Sequence, residues 1–445
     1  MTDDVVVVGG GPSGLAAAHR LSRAGVAVRV LEAADRVGGK MRTSRRDGFV
    51  VDQGAFFVPT TYRTLLATAA DIGMADEIVP GGFILGIVRD GVIHDLDGDH
   101  LVPSLLRTRL LSTRAKVELV KVLPELIRAR RAGYERMPEA GRYDTETLSA
   151  WSRSRLSSEL QEYLAETVMR GIAATSGDTA SRADFLAILA LFGGAKLVSF
   201  RDGMNSYADR LARDVKTEVG AEVTSVEADG SGVTVTWTDQ GGLEHVDHAA
   251  ACVVATPGQT TARIVPGLDA WRRSFLDRVR NGKLFLLNVG LSRRPRDVKS
   301  TYLLVPRASH PFLTGIMFDH HKAPGRAPAD KGLLTVAVLD SWSAEHWDDD
   351  DDQIRQAMLG GLEQILPGTT DHVEFADVRR WREEYTTVGF YRDLARFRQL
   401  CGQDRRIQLA GDSQAFQNLE SATISGQRAA ERLLSSHILS QYAAS

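Results

Sequence analysis

Only two of the 445 residues are cysteine, Cys252 and Cys401, too far apart for zinc-type spacing or a disulfide framework. That usage fits a reducing cytoplasm, where the protein is expected. No stretch approaches the ~18 uninterrupted apolar residues of a membrane span. A formal net charge of −3 gives no case for nucleic acid or another polyanionic partner. No secretory leader is expected, because Asp3 and Asp4 stand where basic residues would and "VVVVGGG" breaks the apolar run early. His310, His320 and His321 lack ligand spacing, so no metal is expected. The rest is an ordinary globular composition, 43% apolar and 25% charged, on a chain longer than one core comfortably fills.

The chemistry begins at the N-terminus. Val5 to Val8 is a β-branched run closed by glycine, the pattern of a strand buried on both faces. Ser13 to Ala24 reads as a helix stopped by Gly25, and Val26, Val28 and Val30 resume a strand ending at Glu32. This strand–helix–strand carries Gly9-x-Gly11-x-x-Gly14 at its first turn, with Glu32 after the second strand. Gly9 permits the tight turn, Gly11 lets backbone approach a pyrophosphate, and Gly14 allows close helix–strand packing. Pro12 and Ser13 open the helix, whose free N–H groups face the phosphates. Glu32 accepts from an adenosine ribose hydroxyl and repels a 2′-phosphate. The pattern does not separate NAD from FAD, which share the adenosine half.

The next residues do. Glu32, Arg36, Gly38, Gly39 and Thr43 spell E-x3-R-x-G-G-x-x-x-T, which resembles the extended FAD fingerprint of the flavin-containing amine oxidoreductase superfamily. Monoamine oxidases, protoporphyrinogen oxidases and phytoene desaturases belong to it. The resemblance implies that Ala33, Gly38, Gly39 and Met41 join the cofactor site, and that Lys40 or Arg42 meets the phosphates. It recurs in "GFVVDQGAFFV" (48–58), implying Gly54, Ala55 and Phe56 beside the flavin, and in "SFRDGMNSYADRLARDV" (199–215). "GAEVTSVEADGSGVTVTW" (220–237) resembles the hairpin that offers Val223 backbone to the adenine, and "CVVATPG" (252–258) the strand returning to the cofactor domain. "IQLAGDSQAFQNLESATISGQRAAERLL" (407–434) resembles the closing motif. There Gly411 and Asp412 bind the ribityl–pyrophosphate region, and Glu420, Ser421 and Ala422 open a helix aimed at the flavin. The implied fold is α/β: a Rossmann-like FAD-binding domain of glutathione-reductase type (1–85, 199–268 and 403–445) with an interleaved α+β substrate domain (86–198 and 269–402).

In the first insertion, "LLRTRLLSTRAKVELVKVLPELIRARRAGYERM" (105–137) repeats leucine and valine at helical spacing amid Arg107, Arg109, Arg114, Lys116, Arg128, Arg130 and Arg131. It reads as a solvated helix pair over the substrate channel, with peripheral membrane contact as the alternative. The second insertion reads mostly as strands, and the aspartates at 348–352 load the start of a helix (353–366). "WREEYTTVGFYRD" (381–393) resembles the amine oxidase segment W-x7-G-x-Y, with Trp381, Gly389 and Tyr391 in place. That implies Tyr391 as one wall of an aromatic cage over the flavin; its alternative is a packed strand aromatic. Phe390 replaces the cysteine of covalent-flavin members, so FAD is expected without a covalent bond. Asn418 stands where a second cage tyrosine is expected, with Phe416 nearby. Lys283 is nearest to the lysine that holds a water at flavin N5, although strand register favours Phe285 there.

The resemblance implies an FAD-dependent enzyme removing a hydride from a largely apolar small molecule, amine oxidation first. A C–C desaturase, porphyrinogen-type oxidase or flavin-dependent isomerase is the alternative. Rab escort and GDP-dissociation-inhibitor proteins, which share the fold without being enzymes, are a remote one. A homodimer is left open.

Overall fold

Val5–Val8, each residue at most 3% exposed, is the middle strand of a five-stranded sheet. This computed structural model describes residues 4–124, 127, 137–192, 194–414 and 416–439. The sheet runs Lys216–Val219, Val28–Glu32, Val5–Val8, Ala251–Val254, Ile407–Leu409, parallel throughout. Strands buried on both faces need no polar alternation, which is why "VVVV" and "ACVV" read as unbroken apolar runs. The helices Pro12–Ser22 and Leu419–Leu434 pack on each other so closely that a Cβ on Gly426 would stand 1.9 Å from the Ser13 carbonyl oxygen. An antiparallel meander, Glu222–Ala228, Val233–Thr238 and Glu244–Ala249, follows the edge strand.

A second sheet has seven strands in the order Val373–Tyr385, Arg280–Leu291, Gly332–Val338, Leu313–Phe318, Tyr302–Leu304, Ile84–Arg89, Val92–Asp97. Arg280–Leu291 shows the two-residue period of a strand. Phe285, Leu287, Val289 and Leu291 enter a core with Ile354, Met358 and Leu362 of the helix Asp351–Ile365. Leu284 and Leu286 face the other way. Asp350 caps that helix in a reciprocal capping box with Gln353, and Asp351 and Asp352 fill its first turn. Two expected domain limits fall inside strands. Residue 85 lies within Ile84–Arg89 of the seven-stranded sheet, and residue 198 within Leu197–Phe200, which pairs with Val58–Pro59 and Ile78–Pro80.

In the basic segment, Leu101–Arg107 and Thr113–Glu118 form short helices. Leu101, Leu105 and Leu119 pack on the core, while Val102, Leu106, Val117 and Val120 point outward, each at least 64% exposed. Arg128, Arg130 and Arg131 lie outside the described residues. Among the described residues, no helix is long and apolar enough to cross a membrane.

The two-stranded hairpin Thr43–Arg46 and Phe49–Asp52 is joined to the segment after Leu313–Phe318 of the seven-stranded sheet by a buried ion cluster. Asp52, at the end of Phe49–Asp52, receives Lys322 Nζ at 2.8 Å and Arg326 Nη2 at 3.4 Å, and Lys322 also reaches Asp319 at 2.6 Å. Thr43 Oγ1 and the Met204 N–H donate to the same carboxylate at 2.6 and 2.9 Å. Burial opposes the Asp52 charge, but Lys322 and Arg326 outweigh it and hold the carboxyl below its ordinary pKa. Removing one member of such a cluster strands the others. Asp52→Ala should therefore lose about 3–5 kcal/mol in urea unfolding at neutral pH. The lowered pKa makes this contribution complete above the ~3.9 of an unfolded aspartate and lost as pH falls through the folded value. The gap between wild type and variant should thus close only in acid. A loss under about 1 kcal/mol at neutral pH would show the cluster to be dispensable.

Candidate active site

Two glycine turns build one wall of a cavity of about 390 Å³. Gly9 adopts φ +100°, and a Cβ on Gly14 would stand 1.9 Å from the Gly9 carbonyl oxygen, so the helix Pro12–Ser22 starts hard against the strand before it. Its N-cap is Gly11, which offers no capping side chain. In the second turn Gly38 and Gly39 take φ +110° and +52°, and the Gly38 N–H donates to the Gly10 carbonyl at 2.8 Å. A Cβ on Gly39 would lie 3.3 Å from Gly11 Cα, so the two turns abut. Gly11, Pro12, Ser13, Gly39 and Lys40 all face the cavity. Gly54, Ala55 and Phe56 reach it because the Ala55 N–H donates to the Lys40 carbonyl at 2.8 Å. Gly411, Asp412, Asn418 and Ala422 close the same end.

Beyond this cradle the walls become apolar. Phe56, Phe57, Phe192 and Tyr302 form a ring cluster with centroids 5.2 to 6.4 Å apart. Leu191, Leu284 and Leu286 line it too, as do Trp381, Tyr385 and Phe416. Four carboxylates also face the cavity: Asp184, Glu383, Glu384 and Asp412. Lys40 pairs with Glu383 at 2.7 Å and lies 4.0 Å from Asp412. Burial works against its charge, yet these acids raise its pKa above the ordinary lysine value. Burial pushes Glu384 up to about 7, with Asp412 adding, against the Gly258 N–H that donates to it. Burial also pushes Asp184 up to about 7, against hydroxyl bonds from Tyr391 and Thr386, while nearby Asp144 adds to the rise.

Several expected contacts lie elsewhere. Tyr391 is not a cage wall and not in a strand. It is fully buried in the helix Phe390–Cys401, and its hydroxyl donates to Asp184 Oδ1 at 2.6 Å. Lys283 and Phe285 are both on the far face of their strand, Lys283 over the Trp347 ring at 5.1 Å and Phe285 in the core, because Leu284 takes the cavity-facing register. Arg42 turns to Asp35 at 2.8 Å, leaving Lys40 as the cavity's cation at this end. Glu420 accepts the N–H groups of Thr64 and Leu65, both at 2.8 Å, and so caps the helix Arg63–Asp71. Ser421 lines a small separate pocket, since the N-terminal helix turn presents Asn418, Leu419 and Ala422 to the cavity instead.

Glu32 is outside the lining, its carboxylate taking the Gly10 and Ala34 N–H groups at 2.6 and 2.9 Å. Val223 is likewise outside. Its hairpin touches this region through the Ala221 N–H, which donates to the Glu32 carbonyl at 2.9 Å, while Ala33 is exposed. Met41, Gly9, Gly14 and Gly38 support the cradle from behind.

Sequence reasoning missed Asp184, Glu383 and Glu384. The alternation Trp381, Glu383, Tyr385 along one strand face was the available signal for Glu383. Asp184, on the helix Arg182–Phe192, had none.

The donors fit FAD. Ser13 Oγ is buried and without a hydrogen-bond partner among the described residues, and it faces the cavity. A Cβ on Gly11 would meet no atom within 4 Å, which leaves room for a phosphate against the helix N-terminus. Lys40 supplies the cation.

Comparison with known proteins agrees. Residues 12–434 match the family model for flavin containing amine oxidoreductase. Coproporphyrinogen III oxidase of Staphylococcus aureus is 23% identical over 85% of this chain and 87% of its own length. Polyamine oxidase 4 of Oryza sativa subsp. japonica is 26% identical over 87% of this chain and 77% of its own. The cyclohexylamine oxidase structure from Brevibacterium oxydans superposes with a TM-score of 0.77 at 20% identity, covering 97% of this chain and 99% of that one. The chain belongs to the flavin-containing amine oxidoreductase family and is an FAD-dependent oxidoreductase of that superfamily.

Proposed function

We infer that the protein oxidises an amine, removing a hydride from the carbon next to nitrogen in a largely apolar small molecule. The observation that carries this reading is the continuity of the cavity. One space runs from the glycine cradle to the Phe56, Phe57, Tyr302 and Leu284–Leu286 walls. FAD, when bound, supplies the two-electron acceptor.

The chain's own residues do the rest. The N-terminus of Pro12–Ser22, Ser13 and Lys40 hold the diphosphate. Gly54 to Phe56 and Gly411 to Asp412 bound the flavin end. The rings and leucines exclude water and press the substrate's C–H toward the cofactor. Binding is non-covalent: Cys252 and Cys401 are both free, buried and outside the cavity lining, and Phe390 packs on Phe275 at 5.1 Å. The two free thiols also support the cytoplasm as its location.

A second reading, hydride removal from a C–C bond or a porphyrinogen, is favoured by one specific observation. Tyr391 and Lys283 lie outside the cavity and Asn418 occupies the other expected cage position, so the cage expected from the W-x7-G-x-Y segment is not formed by those residues.

Anaerobic mixing of the yellow holoenzyme with separate panels of amines, porphyrinogens and polyenes distinguishes the two. Bleaching of the oxidised-flavin band by amines is expected. Bleaching by the other panels alone would replace C–N with C–C oxidation.

Gly11→Ala tests the cradle. Gly11 has φ −76° and open space at its Cβ, so alanine is tolerated by the chain and should leave the apoprotein's melting temperature unchanged. The methyl group enters the phosphate space and should cut FAD affinity at least tenfold, about 1.4 kcal/mol. Full flavin occupancy at limiting FAD would place the diphosphate elsewhere.

A further inference from the structure

We propose that Asp184 is the specificity-determining anion of the cavity, binding the cationic nitrogen of an alkylammonium substrate. The proposal rests on the amine-oxidising reading and names how that site recognises charge.

Asp184 is 4% exposed and faces the cavity beside Thr175, Ala180 and Thr386. Every group that touches its carboxylate is a neutral donor. Tyr391 Oη donates to Oδ1 at 2.6 Å, Thr386 Oγ1 lies 2.7 and 2.8 Å from the two oxygens, and the Ser181 N–H donates to Oδ2 at 3.1 Å. A carboxyl group surrounded only by donors is built to be an acceptor, and the ionised form accepts at both oxygens. Yet among the described residues no Lys, Arg or His nitrogen lies within 4 Å of it. The three other cavity carboxylates share Lys40. Arg280, the remaining cation of the lining, is committed to Asp340 at 2.6 Å. Asp144, the nearest acid, is held by Ser181 Oγ and the Tyr391 N–H, both at 2.7 Å.

A buried carboxylate without a counter-ion costs several kcal/mol, and a fold that fixes one with three donors at a cavity wall has left the counter-ion to the ligand. An apolar chamber with one such anion takes an alkyl chain that ends in, or carries, an ammonium group. A neutral isostere leaves the anion unpaired and binds less well. Burial also raises the Asp184 pKa to about 7, so an arriving ammonium, which favours the ionised form, restores its charge near neutrality.

The test uses the holoenzyme under anaerobic conditions, with hexylamine and its neutral isostere hexanol as probes and the shift of the flavin band as the binding signal. Wild type should bind hexylamine more tightly than hexanol. Asp184→Asn keeps the shape and an acceptor oxygen. It should weaken hexylamine about ten- to a hundredfold, leave hexanol within about twofold, and retain its flavin. In turnover the same loss should fall on KM rather than kcat. Tyr391→Phe keeps the carboxylate and removes one donor; it should weaken hexylamine alone, by less, and it decides the matter if Asp184→Asn does not hold flavin.

Equal losses for both probes would reduce Asp184 to packing. A wild type that does not discriminate the probes would overturn the assignment, whatever substrate reduces the flavin. Asp184-dependent hexylamine binding without any bleaching would uphold the anion and overturn C–N oxidation.

Discussion

The Asp52–Lys322–Arg326 cluster is the constraint from which the geometry of the cavity follows. Asp52 ends a strand that belongs to the cofactor side, and its cationic partners come from the segment following the Leu313–Phe318 strand of the seven-stranded sheet. The next residues, Gln53 to Phe56, are then clamped from both sides. The Gln53 N–H donates to the Arg42 carbonyl at 2.8 Å, Trp381 Nε1 donates to the Gln53 carbonyl at 2.6 Å, and Asn288 Nδ2 reaches the Asp52 carbonyl at 3.2 Å. A turn that lines the cavity is thus tied both to the backbone after the second glycine turn and to strands of the seven-stranded sheet. Charge here is used for placement: each ion is desolvated, and the return is a fixed position of the Phe49–Asp52 strand against the seven-stranded sheet.

Electrostatics then divides the cavity. Near the cradle one lysine serves three carboxylates, and burial, with repulsion from neighbouring acids, raises the pKa of Glu384 and of Asp412. Asp184, held through Thr386 just after the Glu383–Tyr385 stretch, has only neutral donors. An anionic cofactor and the proposed cationic ligand would meet different groups of one continuous space, Lys40 for the first and Asp184 for the second.

Much of the cradle was legible in the sequence because its determinants are local. Glycines at 9, 14, 38 and 39 announce positive φ or close backbone approach, and these needs belong to the residue itself. Side-chain direction was legible only where a period could be read. Leu284 and Leu286 alternate with Phe285 and Leu287, but nothing local says which of the two faces is the cavity. Glu420 shows the same limit. Its place at the start of the helix Leu419–Leu434 is plain, while its partners, the Thr64 and Leu65 N–H groups, are more than 350 residues away in the chain. Asp184 owes its meaning mostly to such distant neighbours, Thr386 and Tyr391.

Tyr391 joins these threads. The motif that places it is intact, yet Gly389 takes φ +99° and starts a helix whose buried side is Phe390, Tyr391, Leu394, Phe397 and Cys401. That spacing of three and four is helical, and it outweighs the expectation of an extended segment. Once the backbone turns, the Tyr391 ring packs edge-on against Phe390 at 5.2 Å and only its hydroxyl points toward the cavity wall. A ring face attracts a cation by roughly 0.5–2 kcal/mol and does so without being desolvated as an ion. A carboxylate attracts it more strongly but has to be held in apolar surroundings until the cation arrives. Moving the ring out and keeping its hydroxyl exchanges the first arrangement for the second. The hydroxyl's new task is to make the buried charge of Asp184 tolerable.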